Sequence, residues 1–145
     1  MNQSDIKEII QIDDTQLASI IEKTFLFFEN NSDYSIQYKK RKNDVFFLIN
    51  KINGLSIVFH LDKYFVKIQI DEFMYDNMSD GIDNIILLLN MIMQEKYLII
   101  DYYQANVYKY AEITWDGVAK LNQFSPGFLN SLQLKSTNSK NRYAQ

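Results

Sequence analysis

Apolar residues fall on two different beats along this chain, and the changes of beat divide it into elements. Leu17, Ile20, Ile21, Thr24 and Phe28 recur every third or fourth position and draw one stripe on a helix from Thr15 to about Glu29. Asp13 and Asp14 offer carboxylates to cap its first turn, and Asn30, Asn31 and Ser32 close it. A short helix is also expected at residues 4–10. The beat then changes to two, because Tyr34, Ile36 and Tyr38 alternate with polar neighbours, as do Val66, Ile68 and Ile70 around Lys67 and Gln69. Alternation of this kind marks half-buried strands. Between them lie residues 45–51 and 55–60, joined through Asn53-Gly54, a pair suited to the positive φ angles of a tight hairpin. Lys42, Asn43 and Asp44, and then Asp62 and Lys63, supply two more turns. Four strands linked by three short turns predict an antiparallel meander.

The chain is then expected to leave the sheet through residues 73–78, with Ser79 or Asp80 capping a helix from Ile82 to about Glu95. Ile82, Ile85, Ile86, Leu89, Ile92 and Met93 form its stripe. Leu87, Leu88 and Met91 widen that stripe almost all the way round, which predicts a helix buried on most sides, packed between the sheet and the first helix or the C-terminal segment. Strand composition returns from Tyr97 to Thr114, with Gln104, Ala105 and Asn106 as the turn of a hairpin. Residues 115–124 and 125–134 predict a short helical segment or two, with Pro126 where a first helical turn accepts proline. Residues 135–145 are polar and predict a loose tail. The fold class expected is α+β: N-terminal helix, four-stranded antiparallel meander, buried helix, β-hairpin and short C-terminal helical segment, in one domain over residues 1–134.

Composition narrows the chemistry. Hydrophobic residues make up 47% of the 145, enough for a core without disulfides, and the absence of cysteine removes thiolate catalysis and every Cys-based metal site. Residues 1–7 lack a basic segment followed by an apolar run, and no stretch of about 18 uncharged apolar residues appears, so a cytoplasmic location is expected. A net charge of -3 argues against general affinity for phosphate backbones.

His60 is the only histidine, so any imidazole chemistry must be built on it; at a strand end before a turn it reads more simply as an edge or surface residue. Gly54, Gly81, Gly117 and Gly127 lie far apart, and no loop presents the run of amides that phosphate-binding fingerprints need. No catalytic residue, metal or cofactor is expected.

Two charge features remain. Asp71, Glu72, Asp76, Asp80 and Asp83 occur with no Lys or Arg among them, interleaved with Phe73, Met74, Tyr75 and Met78. This stretch reads as an acidic patch with apolar anchors facing a basic partner, with Asp71, Glu72, Tyr75, Asp76, Asp80 and Asp83 as the partner-binding residues. It also reads as a solvated loop whose Asp80 and Asp83 favour the positive end of the next helix. Lys39, Lys40, Arg41 and Lys42, beside Tyr34 and Tyr38, could hold a nucleic-acid backbone under stacked bases, or form a solvated hairpin end that discourages pairing at the sheet edge. Tyr97, Tyr102, Tyr103, Tyr108 and Tyr110 crowd the second hairpin, where cross-strand packing accounts for most of them.

An apolar helix from Ile82, then Tyr97, Leu98, Ile99, Ile100, Asp101, Tyr102 and Tyr103, then Val107 to Ile113 as a tyrosine-rich hairpin, resembles the small immunity proteins of bacterial polymorphic toxin systems, including the contact-dependent inhibition and Maf types. The resemblance covers the pattern of elements from Tyr34 to Ile113 and carries no diagnostic motif. It implies a cytoplasmic protein that binds one cognate toxin domain, often a nuclease with a basic cleft, and blocks its active site or its activation; the chain itself is expected to be a monomer or a weak homodimer. The element order is also similar to type III effector chaperones, dimers that hold an extended client segment, although the leucine and glycine spacing of those proteins is missing. A small RNA-binding module built on residues 39–42 is the third reading.

Overall fold

The computed structural model describes residues 12–115, 123–124 and 138–143. They form an α+β protein with two helices and two antiparallel sheets, and the chain divides into two compact units, Met1–Gln94 and Glu95–Gln145.

In the first unit, helix α1 spans Thr15–Glu29. Asp14 caps it by accepting the Leu17 amide at 2.8 Å, and the Asn30 amide closes it on the Leu26 carbonyl. Leu17, Ile21, Thr24, Phe25 and Phe28 are its buried residues. The one buried hydroxyl among them, on Thr24, donates to the Ile20 carbonyl at 2.7 Å and so carries no desolvation penalty.

Five strands follow in sequential order: β1 (Tyr34–Lys40), β2 (Val45–Lys51), β3 (Ser56–Leu61), β4 (Val66–Ile70) and β5 (Phe73–Asp76). The meander therefore has a fifth strand where the chain was expected to leave the sheet. Phe73 and Tyr75 are buried opposite Ile70 and Ile68, and a tight turn at Asp71, with φ of +51°, makes this possible without glycine. In the β2–β3 turn Asn53 alone takes a positive φ, of +55°. At Gly54 the constraint is different, since a Cβ there would lie 2.9 Å from Lys51 Cδ and the lysine side chain would have to shift.

Alternation sorts the sheet into two faces. Phe47, Ile49, Ile57, Phe59, Leu61, Val66, Ile68, Ile70, Phe73 and Tyr75 share the inner, buried face. Helix α1 lies on it, with the Phe25 ring 4.1 Å from Phe47 and 5.0 Å from Phe59. Helix α2, Ile82–Gln94, packs against α1 and buries Ile85, Leu88, Leu89, Met91 and Ile92. The helix whose rings meet the sheet is thus α1, through the aromatic positions added to its stripe.

The second unit is a sheet of order β8-β7-β6-β9, built from β6 (Tyr97–Gln104), β7 (Val107–Trp115), β8 (Gln123–Phe124) and β9 (Asn138–Asn141). The turn between β6 and β7 is made by Ala105 and Asn106, both with positive φ, while Gln104, expected in the turn, ends β6. The register slips between Tyr102 and Tyr103, leaving Lys109 as the extra residue of a bulge. Trp115 and residues 123–124 belong to strands, which corrects the helical reading of residues 115–124 at those positions. The helical segment expected at residues 125–134 and the helix at residues 4–10 lie outside the described residues.

The polar tail is also corrected in part, because Asn138–Asn141 pairs along β6 as an edge strand. What holds it is a charge pair. Asp101, buried in β6, receives two N–H groups of Arg142, from Nη2 to Oδ1 at 2.6 Å and from Nε to Oδ2 at 3.2 Å, while the Arg142 amide donates to the Ile99 carbonyl.

On the other face of this hairpin, Tyr102 and Tyr110 stack with centroids 4.6 Å apart. Burial pushes both phenols above their ordinary value of 10.0, the Glu112 carboxylate adds to the effect on each, and Tyr102 raises Tyr110 further. A raised folded-state value means that the unfolded chain loses these protons first, so stability falls as pH rises beyond about 10 and is unaffected by these groups below it. The urea midpoint followed between about pH 9 and 11 is expected to drop less for the Tyr102→Phe/Tyr110→Phe double variant than for the parent chain.

Candidate functional site

The residues read as an acidic interface divide into three kinds. Asp76 and Asp80 staple the connection from β5 to α2: Asp76 Oδ1 accepts the Ser79 amide at 2.6 Å, Asp80 Oδ2 accepts the Asp76 amide at 2.9 Å, and the Asp80 amide returns to the Asp76 carbonyl. Asp71 likewise accepts the Ser56 amide at 2.9 Å and holds the turn between β4 and β5. These three carboxylates shape the loop that carries them. Glu72 and Asp83 are exposed, Asp83 in the first turn of α2, where its charge suits the helix terminus. Tyr75 is buried completely on the inner face of the sheet, so it serves the core and not the surface. The apolar side chains that this stretch does expose are Met74 and Met78, 50% and 77% accessible.

Met74 leads to a surface that sequence reasoning did not single out, the outer face of the five-stranded sheet. Register places Gln37, Leu48, Val58, Gln69 and Met74 in one row across all five strands. The next row is Lys39, Phe46, His60, Lys67 and Asp76. Leu48, 38% accessible, and Met74 stand open on either side of the half-buried Val58. The face thus carries the apolar neighbours Leu48 and Val58, with Gln69 between them and Met74, charged and amide residues around them, and the acidic stretch at its β5 border. The signal in the sequence was the run Val45 to Leu48 in β2, where apolar residues occupy both alternating sets.

His60 belongs to this face, inside the sheet on β3 and not at an edge. Its ring stacks on Phe46 with centroids 4.1 Å apart and planes 7° from parallel, and Phe65 meets it edge-on at 5.9 Å. Its Nε2 lies 3.0 Å from Asp44 Oδ2, while Arg41 Nε lies 3.3 Å from Asp44 Oδ1 and the guanidinium sits 4.5 Å from the Phe46 ring centre. The single histidine is therefore engaged by a carboxylate and two rings, and the cluster locks the β1–β2 hairpin end to β3. Among the described residues, no three His, Asp or Glu side chains gather closely enough to hold a metal ion. No helix among them is long and apolar enough to cross a membrane.

Of the basic run, Arg41 is tied to this cluster, whereas Lys39, Lys40 and Lys42 are exposed at the hairpin end. The tyrosines of the second unit mostly pack on one another, Tyr103 edge-on to Tyr108 at 5.9 Å with the Lys140 ammonium 5.4 Å from the Tyr103 ring, and Tyr108 remains exposed near the turn.

No protein family, curated protein or solved structure matches this chain.

Proposed function

We propose that this protein is an immunity-type inhibitor that binds one cognate toxin domain in the cytoplasm and neutralises it by covering its working surface. The observation that carries the reading is the outer face of the meander, where Leu48 and Val58 lie side by side, Met74 stands exposed beyond Gln69 in the same row, and the β5 border is acidic. Exposed apolar side chains among polar neighbours suit a protein interface, and carboxylates at one border suit the basic cleft of a nuclease. The inhibitor needs no catalytic group of its own.

The test is a calorimetric titration of the purified protein against the variable C-terminal domain of a large secreted protein, sought in the gene immediately upstream. Leu48→Glu and Met74→Glu are each expected to weaken a tight one-to-one complex at least tenfold while leaving the folded spectrum intact, since both side chains are open to solvent. Asp83→Lys is expected to slow association and to flatten its salt dependence. Asp76 and Asp80 are poor choices for charge reversal, because their loss would also loosen the turn before α2. If affinity is unaltered by both glutamate variants, or if the protein instead retains an extended effector segment or RNA, the reading is wrong.

A further inference from the structure

The first edge of the meander has a self-complementary order of residues, and we propose that two copies of this chain pair through β1, antiparallel, into a continuous ten-stranded sheet. The Asp33 carbonyl accepts the Ile52 amide and the Arg41 amide donates to the Asp44 carbonyl, so the odd-numbered residues of this strand turn their backbone toward β2. The backbone groups of Ile36, Tyr38 and Lys40 consequently point away from β2, and among the described residues β1 is the end of the strand order. Ser35, Gln37, Tyr38, Lys39 and Lys40 are exposed along it. An edge of this length is a template for another strand.

Only certain registers bring these outward groups together, and the side chains choose among them. With Ile36 opposite its own copy, Tyr34 faces Tyr38, Ser35 faces Gln37, and Asp33 faces Lys39. From Asp33 to Lys39 each position then meets a residue of matching character: aliphatic on aliphatic once, on the two-fold, and ring on ring, polar on polar, and carboxylate on ammonium twice each by symmetry. Moving the two-fold to Gln37 would set Lys40 against Tyr34 and Lys39 against Ser35, and moving it to Tyr38 would set Lys40 against Ile36. Lysine blunts a sheet edge when nothing opposes it; here Asp33 does.

A second feature agrees with this register. Beneath the edge, on the inner face, Phe28, Glu29, Tyr34, Ile36 and Tyr38 line a hollow of about 250 Å³. Tyr38, 52% accessible in one copy, would arrive beside Tyr34 of the other and enter that hollow, so the two-fold fills two such hollows with two rings. The contact uses the edge alone and leaves the outer face of both sheets open, so it is compatible with any partner bound there. Edge pairing of this extent buries little area, and the dimer is expected to be weak and concentration-dependent.

Sedimentation velocity over a concentration series, on the full chain, reads the result. The parent protein is expected to pass from monomer to dimer as concentration rises. Asp33→Lys and Lys39→Asp are each expected to raise the dissociation constant about tenfold by setting like charges opposite one another. The double variant, which exchanges the two charges within one chain, is expected to recover the parent affinity. Both side chains are exposed, and circular dichroism of each variant checks that the fold is retained. A parent chain that stays monomeric at about 1 mM overturns the proposal, given the weakest affinity such an edge would have. So does a dimer that ignores the single exchanges, or one that the double exchange fails to restore.

Discussion

Replacing Phe25 by alanine is expected to lower the stability of the first unit by about 4 kcal/mol, the largest effect of any single truncation considered for it. The ring has no solvent access and bridges α1 to two central strands through Phe47 and Phe59. Its removal would forfeit the transfer energy of the whole ring and leave a void between a helix and a sheet that are each internally stiff. Phe25→Leu, which keeps most of the volume, is expected to cost about 1.5 kcal/mol. Urea unfolding with an unchanged slope measures both. A loss below about 1 kcal/mol for the alanine variant would mean that α1 is not docked on the sheet in this way.

The second large effect is expected at Arg142. Truncation to alanine would take the guanidinium partner from the Asp101 carboxylate in β6, with Lys140 opposite it in register on β9 relieving part of the loss, at an expected cost of about 2 kcal/mol to the second unit. That figure is below the range for a fully buried pair, because the two side chains keep 18% and 13% of their exposure and water can relieve part of the penalty. Exchange of β6 amides for deuterium should report it first. Removing both charges together, as Asp101→Asn with Arg142→Met, is expected to cost less than the single change, because no orphaned carboxylate remains. If the single and double variants behave alike, the pair does not hold β9 to the sheet.

How far the sequence could be read depended on whether an element carried its own periodicity. Helix α1, helix α2 and strands β1 to β4 did: Leu17, Ile21 and Phe28 gave a helical stripe, Val66, Ile68 and Ile70 a strand, and the structure places them on buried faces. Strand β5 spans four residues, too few to establish an alternation, and it follows a turn whose positive φ falls on Asp71, so neither signal was available. Strand β9, Asn138–Asn141, is wholly exposed and holds no apolar residue, so nothing local could mark it. It exists because backbone groups of β6 and the Asp101 carboxylate, distant in sequence, are there to meet it and the Arg142 that follows it.

The same distinction governs the candidate site. The acid-rich segment was visible as composition, but composition does not tell which carboxylates accept amides from their own loop, as Asp71, Asp76 and Asp80 do, and which face solvent, as Asp83 does. Tyr75 and Met74 are adjacent, and strand alternation sends one into the core and the other out. Because β5 was not read as a strand, that choice could not be made from the sequence. The row from Gln37 through Leu48 and Val58 to Met74 required the register of five strands, which is a property of the assembled sheet.

The pairing of β9 with β6 has a consequence for the order in which the chain acquires structure. The meander joins each strand to the next through short turns, so its contacts close as soon as each hairpin has left the ribosome. Asp101 must instead wait 41 residues for Arg142, and until then the β9 side of β6 stands unpaired beside a carboxylate with no counter-charge. The second unit is therefore completed last, and shortening the chain to end before Asn138 would leave it permanently in that unfinished state, with a strand edge available to other nascent chains.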